Sequence, residues 1–425
     1  MTVTLSDALG DSLCPTLRDL ADSVRQVRVL RDSSISAAVA GLVAVLVGYT
    51  SSVALIFSAA RALGGDDRQV ASTLLGLCVA MATVMLVLSL RWRQPVMIAW
   101  STPGAAVIAT AATASGFRLK EAIGAYVVCA GAILIVGATG WFGVLMRHIP
   151  GAVAAALLAG VLARFAMDGF AGAGVKPLLV ISMLVTYVVS RQFLPRYAVV
   201  ITSGVGIVLA VVRGNASMRG LDWSIARPVF TAPSWSAAAM VSIAVPVFVV
   251  TMAGQNLPGV AAIRSAGYDT NVNKVITFTG LVSIPTAFVG AFAVNLAAIT
   301  AAICLGPEAH PDKERRYVAT VTCALTYLVV GLFGAAVAGL LTALGQELVH
   351  AIAALALVGT IGASLTSAVA DERNREAAVV TFLVTLSGVT LVKVGSAFWG
   401  AAAGLLVLIA VAVRARLRPT HSASA

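Results

Sequence analysis

Val96-Met-Ile-Ala-Trp-Ser-Thr-Pro-Gly-Ala-Ala-Val-Ile-Ala-Thr110 is the stretch on which the fold turns. It opens with residues that favour extended backbone, meets a polar pair, and continues as small helix formers. Ser101 has the chemistry of a helix N-cap, and Pro103 suits the first turn of the helix that follows. The proline also pushes Thr102 away from helical backbone. An extended half followed by a half-helix is therefore predicted within one apolar run. A second stretch, Ala291-Phe-Ala-Val-Asn-Leu-Ala-Ala-Ile-Thr-Ala-Ala-Ile-Cys304, has the same order, with Asn295 at the capping place.

Composition sets these two stretches in a membrane. Of 425 residues, 59% are hydrophobic and 11% charged, against roughly a quarter charged in soluble domains. Mean hydropathy is +0.96. A disordered chain, a disulfide scaffold and an ordinary cytosolic enzyme are excluded. The net charge of +11 comes from basic residues scattered between apolar runs. No basic stripe interleaved with aromatics appears, so no nucleic-acid partner is expected. The 5 cysteines have no CxxC spacing and support neither disulfides nor a metal site. No cofactor is called for.

A ruler of about 20 apolar residues per crossing gives fourteen candidate spans: 34–62, 70–90, 95–114, 121–146, 149–167, 176–193, 198–212, 238–263, 274–290, 291–306, 317–344, 347–368, 376–394 and 399–414. With a cytoplasmic N-terminus, 19 of the 29 Lys and Arg fall inside, Arg91, Arg93, Arg191, Arg315, Arg316 and Arg414 among them. This bias predicts an integral plasma (inner) membrane protein with both termini cytoplasmic. Residues 16–31 place Leu17, Leu20, Val24, Val27 and Leu30 at helical spacing opposite arginines. They read as an interfacial helix or a solvated leader.

Seven plus seven spans suggest a duplicated unit. Gly48-Tyr-Thr in span 1 is matched by Gly254-Gln-Asn in span 8, and the two opening stretches are spans 3 and 10. An odd number of spans per unit makes the repeat inverted. Two half-helices then point their N-termini at each other near the bilayer centre. Irregular backbone at that depth is tolerated only where protein or a cavity surrounds it. Each helix N-terminus carries about half a positive charge, so such a pair holds an anion without any Lys or Arg. Pro103 and Ala297, with their small neighbours, leave room for a ring.

Tyr49, Ser101, Thr102, Pro103, Gln255, Asn256, Asn295 and Ala297 are the candidate substrate-binding residues. Structural readings stand beside this one. Gln255 and Asn256 also suit a cap on a helix break at Pro258-Gly259 or a bridge between helices, and Tyr49 suits plain packing. No acidic residue lies in the middle of an apolar run. His148 and His350 fall at span ends and read as interface residues. No HExxH, GxSxG or intramembrane acidic pair is present, which argues against an enzyme.

Ala99-Trp-Ser-Thr-Pro-Gly-Ala-Ala, Pro246-Val-Phe-Val-Val-Thr-Met-Ala-Gly-Gln-Asn-Leu-Pro-Gly-Val and Phe292-Ala-Val-Asn-Leu-Ala-Ala-Ile-Thr-Ala-Ala-Ile resemble the signature segments of the BenE family of benzoate:proton symporters. The resemblance covers about Ser34 to Arg418. It implies an all-α polytopic membrane protein of fourteen spans in two inverted seven-span repeats, as in uracil/xanthine permeases, with short strands in spans 3 and 10. A core domain would comprise 34–146 and 238–345, and a gate domain 147–213 and 346–418. Residues 1–33 form the cytoplasmic N-terminal segment, 214–237 an extracytoplasmic linker and 419–425 the tail. The substrate would sit between spans 3 and 10 against span 8, with homodimers through the gate domain.

Nucleobase permeases carry acidic residues on spans 8 and 10 where this chain has Gln255, Asn256 and Asn295. An anionic substrate follows from that difference, and the proton-coupling residue stays unassigned. The expected function is import of benzoate or a related small aromatic carboxylate together with protons. Another anion, a neutral aromatic or an uncoupled channel on the same fold are the alternatives.

Overall fold

The computed structural model describes residues 32–144, 151–194, 198–212, 224–297, 299–307, 309–344, 346–391 and 396–417. The predicted interfacial helix at 16–31, His148, Ala298 and the first part of the predicted linker, up to residue 223, lie outside them.

The chain is mostly helical. In order it forms α1 (Ile35–Ala62), α2 (Asp67–Trp92), β1 (Ile98–Trp100), α3 (Thr102–Ser115), α4 (Leu119–Ala138), α5 (Gly151–Ala171), α6 (Pro177–Phe193) and α7 (Ala198–Val212). A long helix α8 (Ala237–Arg264) opens the second half. It is followed by α9 (Val272–Ala287), β2 (Val294–Leu296), α10 (Ile299–Leu305), α11 (Tyr317–Leu332), α12 (Gly334–Leu344), α13 (Gln346–Ala370), α14 (Arg375–Leu386) and α15 (Ser396–Leu417). Among the described residues, five helices are long and apolar enough to cross a membrane, or six if the bent pair Ile35–Thr50 and Ser52–Ala62 is one span. The stretch expected as span 11 is divided at Phe333 into α11 and α12.

The two opening stretches meet. β1 and β2 pair antiparallel, with Ile98 opposite Leu296, Ala99 opposite Asn295 and Trp100 opposite Val294. The ladder is extended by Ala297 N–H donating to the Met97 carbonyl at 2.9 Å and Ser101 N–H to Ala293 at 3.1 Å. A two-stranded ribbon alone is marginal in water. Here it is packed into the core: Ile98, Trp100, Val294 and Leu296 are all buried, and Ala99 is half-buried.

Around the ribbon, α2 packs on α11 and α4 on α9, while α5 packs on α13 and α14. Small residues allow the close approaches. A Cβ on Gly280 of α9 would lie 2.5 Å from the Leu134 backbone nitrogen of α4. At one end of the molecule, buried Asp32 accepts hydrogen bonds from Arg93 at 2.6 Å and the Tyr317 hydroxyl at 2.9 Å. This ties the start of α1 to the ends of α2 and α11. Burial raises the Asp32 pKa, but the Tyr317 and Arg93 hydrogen bonds outweigh it and hold the carboxyl below its ordinary value.

Candidate functional site

Ser101 sits between β1 and α3 and caps the helix as its residue type predicts: Gly104 N–H donates to its hydroxyl at 3.2 Å. Pro103 has no N–H to offer. Thr102 is thus left to present polar atoms at the start of α3. The Ser101 hydroxyl also shares a 2.7 Å hydrogen bond with Thr251 of α8.

Five residues further along α8, Asn256 accepts from Leu296 N–H of β2 at 2.9 Å. In an α-helix, residues five apart point in different directions. The α8 segment Met252–Asn256 is π-helical, and π turns close at i+5. This brings Thr251 and Asn256 onto one face, so one helix holds both strand ends. Gly259 completes the seat: a Cβ there would lie 2.5 Å from the Leu296 Cβ. Helix α8 runs through Pro258-Gly259 without a break. The amides of Gln255 and Asn256 therefore do not cap a helix start there, and Asn256 serves as a bridge between elements.

Asn295 is fully buried. Its amide is satisfied with the oxygen facing Ser101 N–H at 3.1 Å and the nitrogen facing the Leu296 carbonyl at 2.9 Å. Ser101, Asn256 and Asn295 thus form a buried polar frame behind the ribbon.

A cavity of about 760 Å³ opens in front of this frame. Thr102, Pro103, Gln255 and Ala297 line it, four of the eight residues singled out from sequence. Ser101, Asn256 and Asn295 stand directly behind its wall. Tyr49 does not line it. Its ring lies 5.7 Å from that of Trp100, and Trp100 is the residue on the wall. Trp100 is fixed by its Nε1–H donating to Ser52 at 2.7 Å and by an edge-on Tyr327 at 5.8 Å. The neighbour of Tyr49, Thr50, also lines the cavity. The Tyr49 hydroxyl is buried with no hydrogen-bond partner among the described residues.

Two departures from expectation concern charge. The second half-helix, α10, has seven residues against fourteen in α3, so the α3 start is the stronger dipole facing the cavity. The cavity also contains a cation. Arg191, at the end of α6, lines it. A charge at a span end reads from sequence as an orientation signal, which is why it was not expected here.

A second cavity of about 650 Å³ lies along the C-terminal half of α3, lined by Arg61, Arg164, Asp168 and His350 among others. Both cavities run between α1, α3 and α8 on one side and α5 and α13 on the other.

These features define a class. A cavity at two strand-to-helix crossings inside a bundle of apolar helices is where many membrane transporters place their substrate. The fold is shared with SLC26A9 at TM-score 0.60, 12% identity, over 98% of this chain and 72% of that one. The transmembrane domain of the cyanobacterial bicarbonate transporter BicA matches at TM-score 0.54 and 13% identity, over 92% and 98% of the respective chains.

The family model for BenE, benzoate membrane transport protein, matches residues 31–410, and the chain belongs to that family. The inner membrane protein YdcO of Escherichia coli (strain K12) is 45% identical over 365 residues, covering 86% of this chain and 93% of YdcO. The benzoate membrane transport protein of Acinetobacter baylyi (strain ATCC 33305 / BD413 / ADP1) is 36% identical over 376 residues, covering 88% and 95%. The chain is thus a membrane transporter and not an enzyme.

Proposed function

We propose that this protein imports benzoate or a closely related aromatic carboxylate by proton symport. The observation that carries the reading is the cavity in front of the ribbon. Its wall combines an aromatic edge (Trp100), small residues (Pro103, Ala297), an uncharged amide (Gln255) and the positive end of α3. A ring with one carboxylate fits that combination, and no Asp or Glu lines it among the described residues to repel the anion. A relative named as a benzoate transporter supports the same substrate class.

In this reading the fourteen segments form two inverted seven-span repeats. The packing favours it. Under a repeat that maps α2 on α9 and α4 on α11, the α2–α11 pair maps onto α9–α4, and both pairs pack tightly. The core domain is α1–α4 with α8–α12, and the gate domain is α5–α7 with α13–α15, paired through the gate in a homodimer. Alternating access moves the ribbon and its frame past α5 and α13, so that the site opens to the two sides of the membrane in turn. Both termini face the cytoplasm of the inner membrane, and Arg191 marks the inner mouth. Tyr49, Ser101, Asn256 and Asn295 support the site, while Thr102, Pro103, Gln255 and Ala297 touch the substrate.

A thermal-shift panel of benzoate, substituted benzoates, uracil and sulfate on the purified protein tests the substrate. Stabilisation by the benzoates alone is expected. Stabilisation by uracil or sulfate with none by benzoate would overturn the reading.

A further inference from the structure

Arg191 is the sole ionised residue lining the cavity in front of the ribbon, among the described residues. It ends α6, outside the helices that build the ribbon and its frame. Among the described residues no carboxylate lies within 4 Å of its guanidinium. Its partner is instead a neutral one, the hydroxyl of Tyr187 one turn earlier, over whose ring it also lies at 5.7 Å. Across the cavity mouth it rests on α13 at Gly359. A Cβ there would stand 3.1 and 3.2 Å from Arg191 Nη1 and Nη2. The missing side chain leaves a berth for the guanidinium.

A guanidinium held by a neutral hydroxyl keeps donors free for a planar carboxylate, which it matches in two-point geometry. The remainder of the wall, from Thr102 to Gln255, offers only uncharged groups and a helix dipole. That wall favours an anion through the α3 dipole alone, with no ionic hydrogen bond to the carboxylate. We infer that Arg191 is the residue that discriminates charged from neutral aromatic ligands, taking the carboxylate at the cavity mouth before it passes to the α3 start. This rests on the proposed carriage of an aromatic carboxylate. It adds a second, weaker anion station on the gate side of the path.

The test compares benzoate with benzamide, its neutral counterpart, on the full-length protein, by equilibrium binding at low and high salt. For Arg191→Gln the benzoate Kd should rise about tenfold, as expected for loss of hydrogen bonds to a charged group. The difference should shrink as salt rises from about 20 mM to about 500 mM. Benzamide binding should be the same in wild type and variant. Arg191→Lys keeps the charge but not the two-point fork, and should recover part of the benzoate affinity relative to Arg191→Gln, which a packing role alone would not produce. Gly359→Ala keeps the charge but crowds its berth, and should raise the benzoate Kd in the same direction by less.

A benzoate Kd for Arg191→Gln within twofold of wild type, or an equal loss for benzamide, would overturn the inference while leaving the substrate reading intact. Failure of wild type to bind benzoate at all would instead remove the substrate reading on which the inference rests.

Discussion

The two strand-to-helix crossings look alike in sequence and are held in different ways. The β1–α3 crossing carries its own cap: Ser101 caps its own helix, Pro103 sets the first turn and α3 runs fourteen residues, with Thr251 of α8 bracing the Ser101 hydroxyl from outside. The β2–α10 crossing leans on its neighbour: Leu296 N–H is satisfied by Asn256 of α8, and α10 runs seven residues. One half of the molecule thus encodes its crossing locally, and the other borrows it from a helix about forty residues away in sequence. The consequence is an asymmetric seat, with the stronger dipole on the α3 side and the shared scaffold, α8, bonded to both.

This comparison can be broken at its weakest joint. Gly259→Val puts a branched side chain where even a Cβ would lie 2.5 Å from Leu296. It should separate α8 from β2 at a cost of about 3 kcal/mol, the upper range for overpacking. Folded yield by size-exclusion chromatography should collapse, and a normal yield would show that α8 does not seat the ribbon. Asn256→Leu strands the buried Leu296 N–H and should cost about 2 kcal/mol. Its apparent Tm should fall clearly below that of the companion variant on the other crossing.

That companion is Ser101→Ala, which removes a cap worth about 1 kcal/mol and the partner of the Thr251 hydroxyl, which can turn to a carbonyl of its own helix instead. Equal Tm losses for Asn256→Leu and Ser101→Ala would erase the distinction between a borrowed and a local crossing. The smallest effect belongs to Gln255→Ala. Its side chain lines the cavity, so apparent Tm without ligand should hold, while the benzoate Kd rises about threefold, some 0.6 kcal/mol. A changed Tm with unchanged Kd would move Gln255 from the cavity wall to the scaffold.

Much of this was legible in the residues because the strongest signals are local. Ser101-Thr102-Pro103 announces an extended-to-helical switch through capping and proline geometry alone, and the structure places the switch there. Asn295 was legible as the matching polar position, but its pairing with Ala99 was not, since register depends on contacts nearly two hundred residues apart. The π segment was invisible because one extra residue per turn leaves no mark on an apolar pattern. Without it, Gln255 and Asn256 look equivalent. In the structure the first lines the cavity and the second is turned back to the strand. Tyr49 and Thr50 show the same limit of one residue in phase, with Thr50 on the wall. Arg191 was hidden for a different reason: at a span end, charge for topology and charge for a ligand are the same residue type in the same place.

The central claim is that the cavity at the α3 start carries an aromatic carboxylate across the membrane with protons. Uptake of labelled benzoate into proteoliposomes, measured with and without an acidified exterior, tests it most directly. Accumulation above the equilibrium level under the acid-outside gradient, abolished by a protonophore, is the predicted result. Uptake that stops at equilibrium whatever the gradient would contradict the account and leave an uncoupled pathway on the same fold.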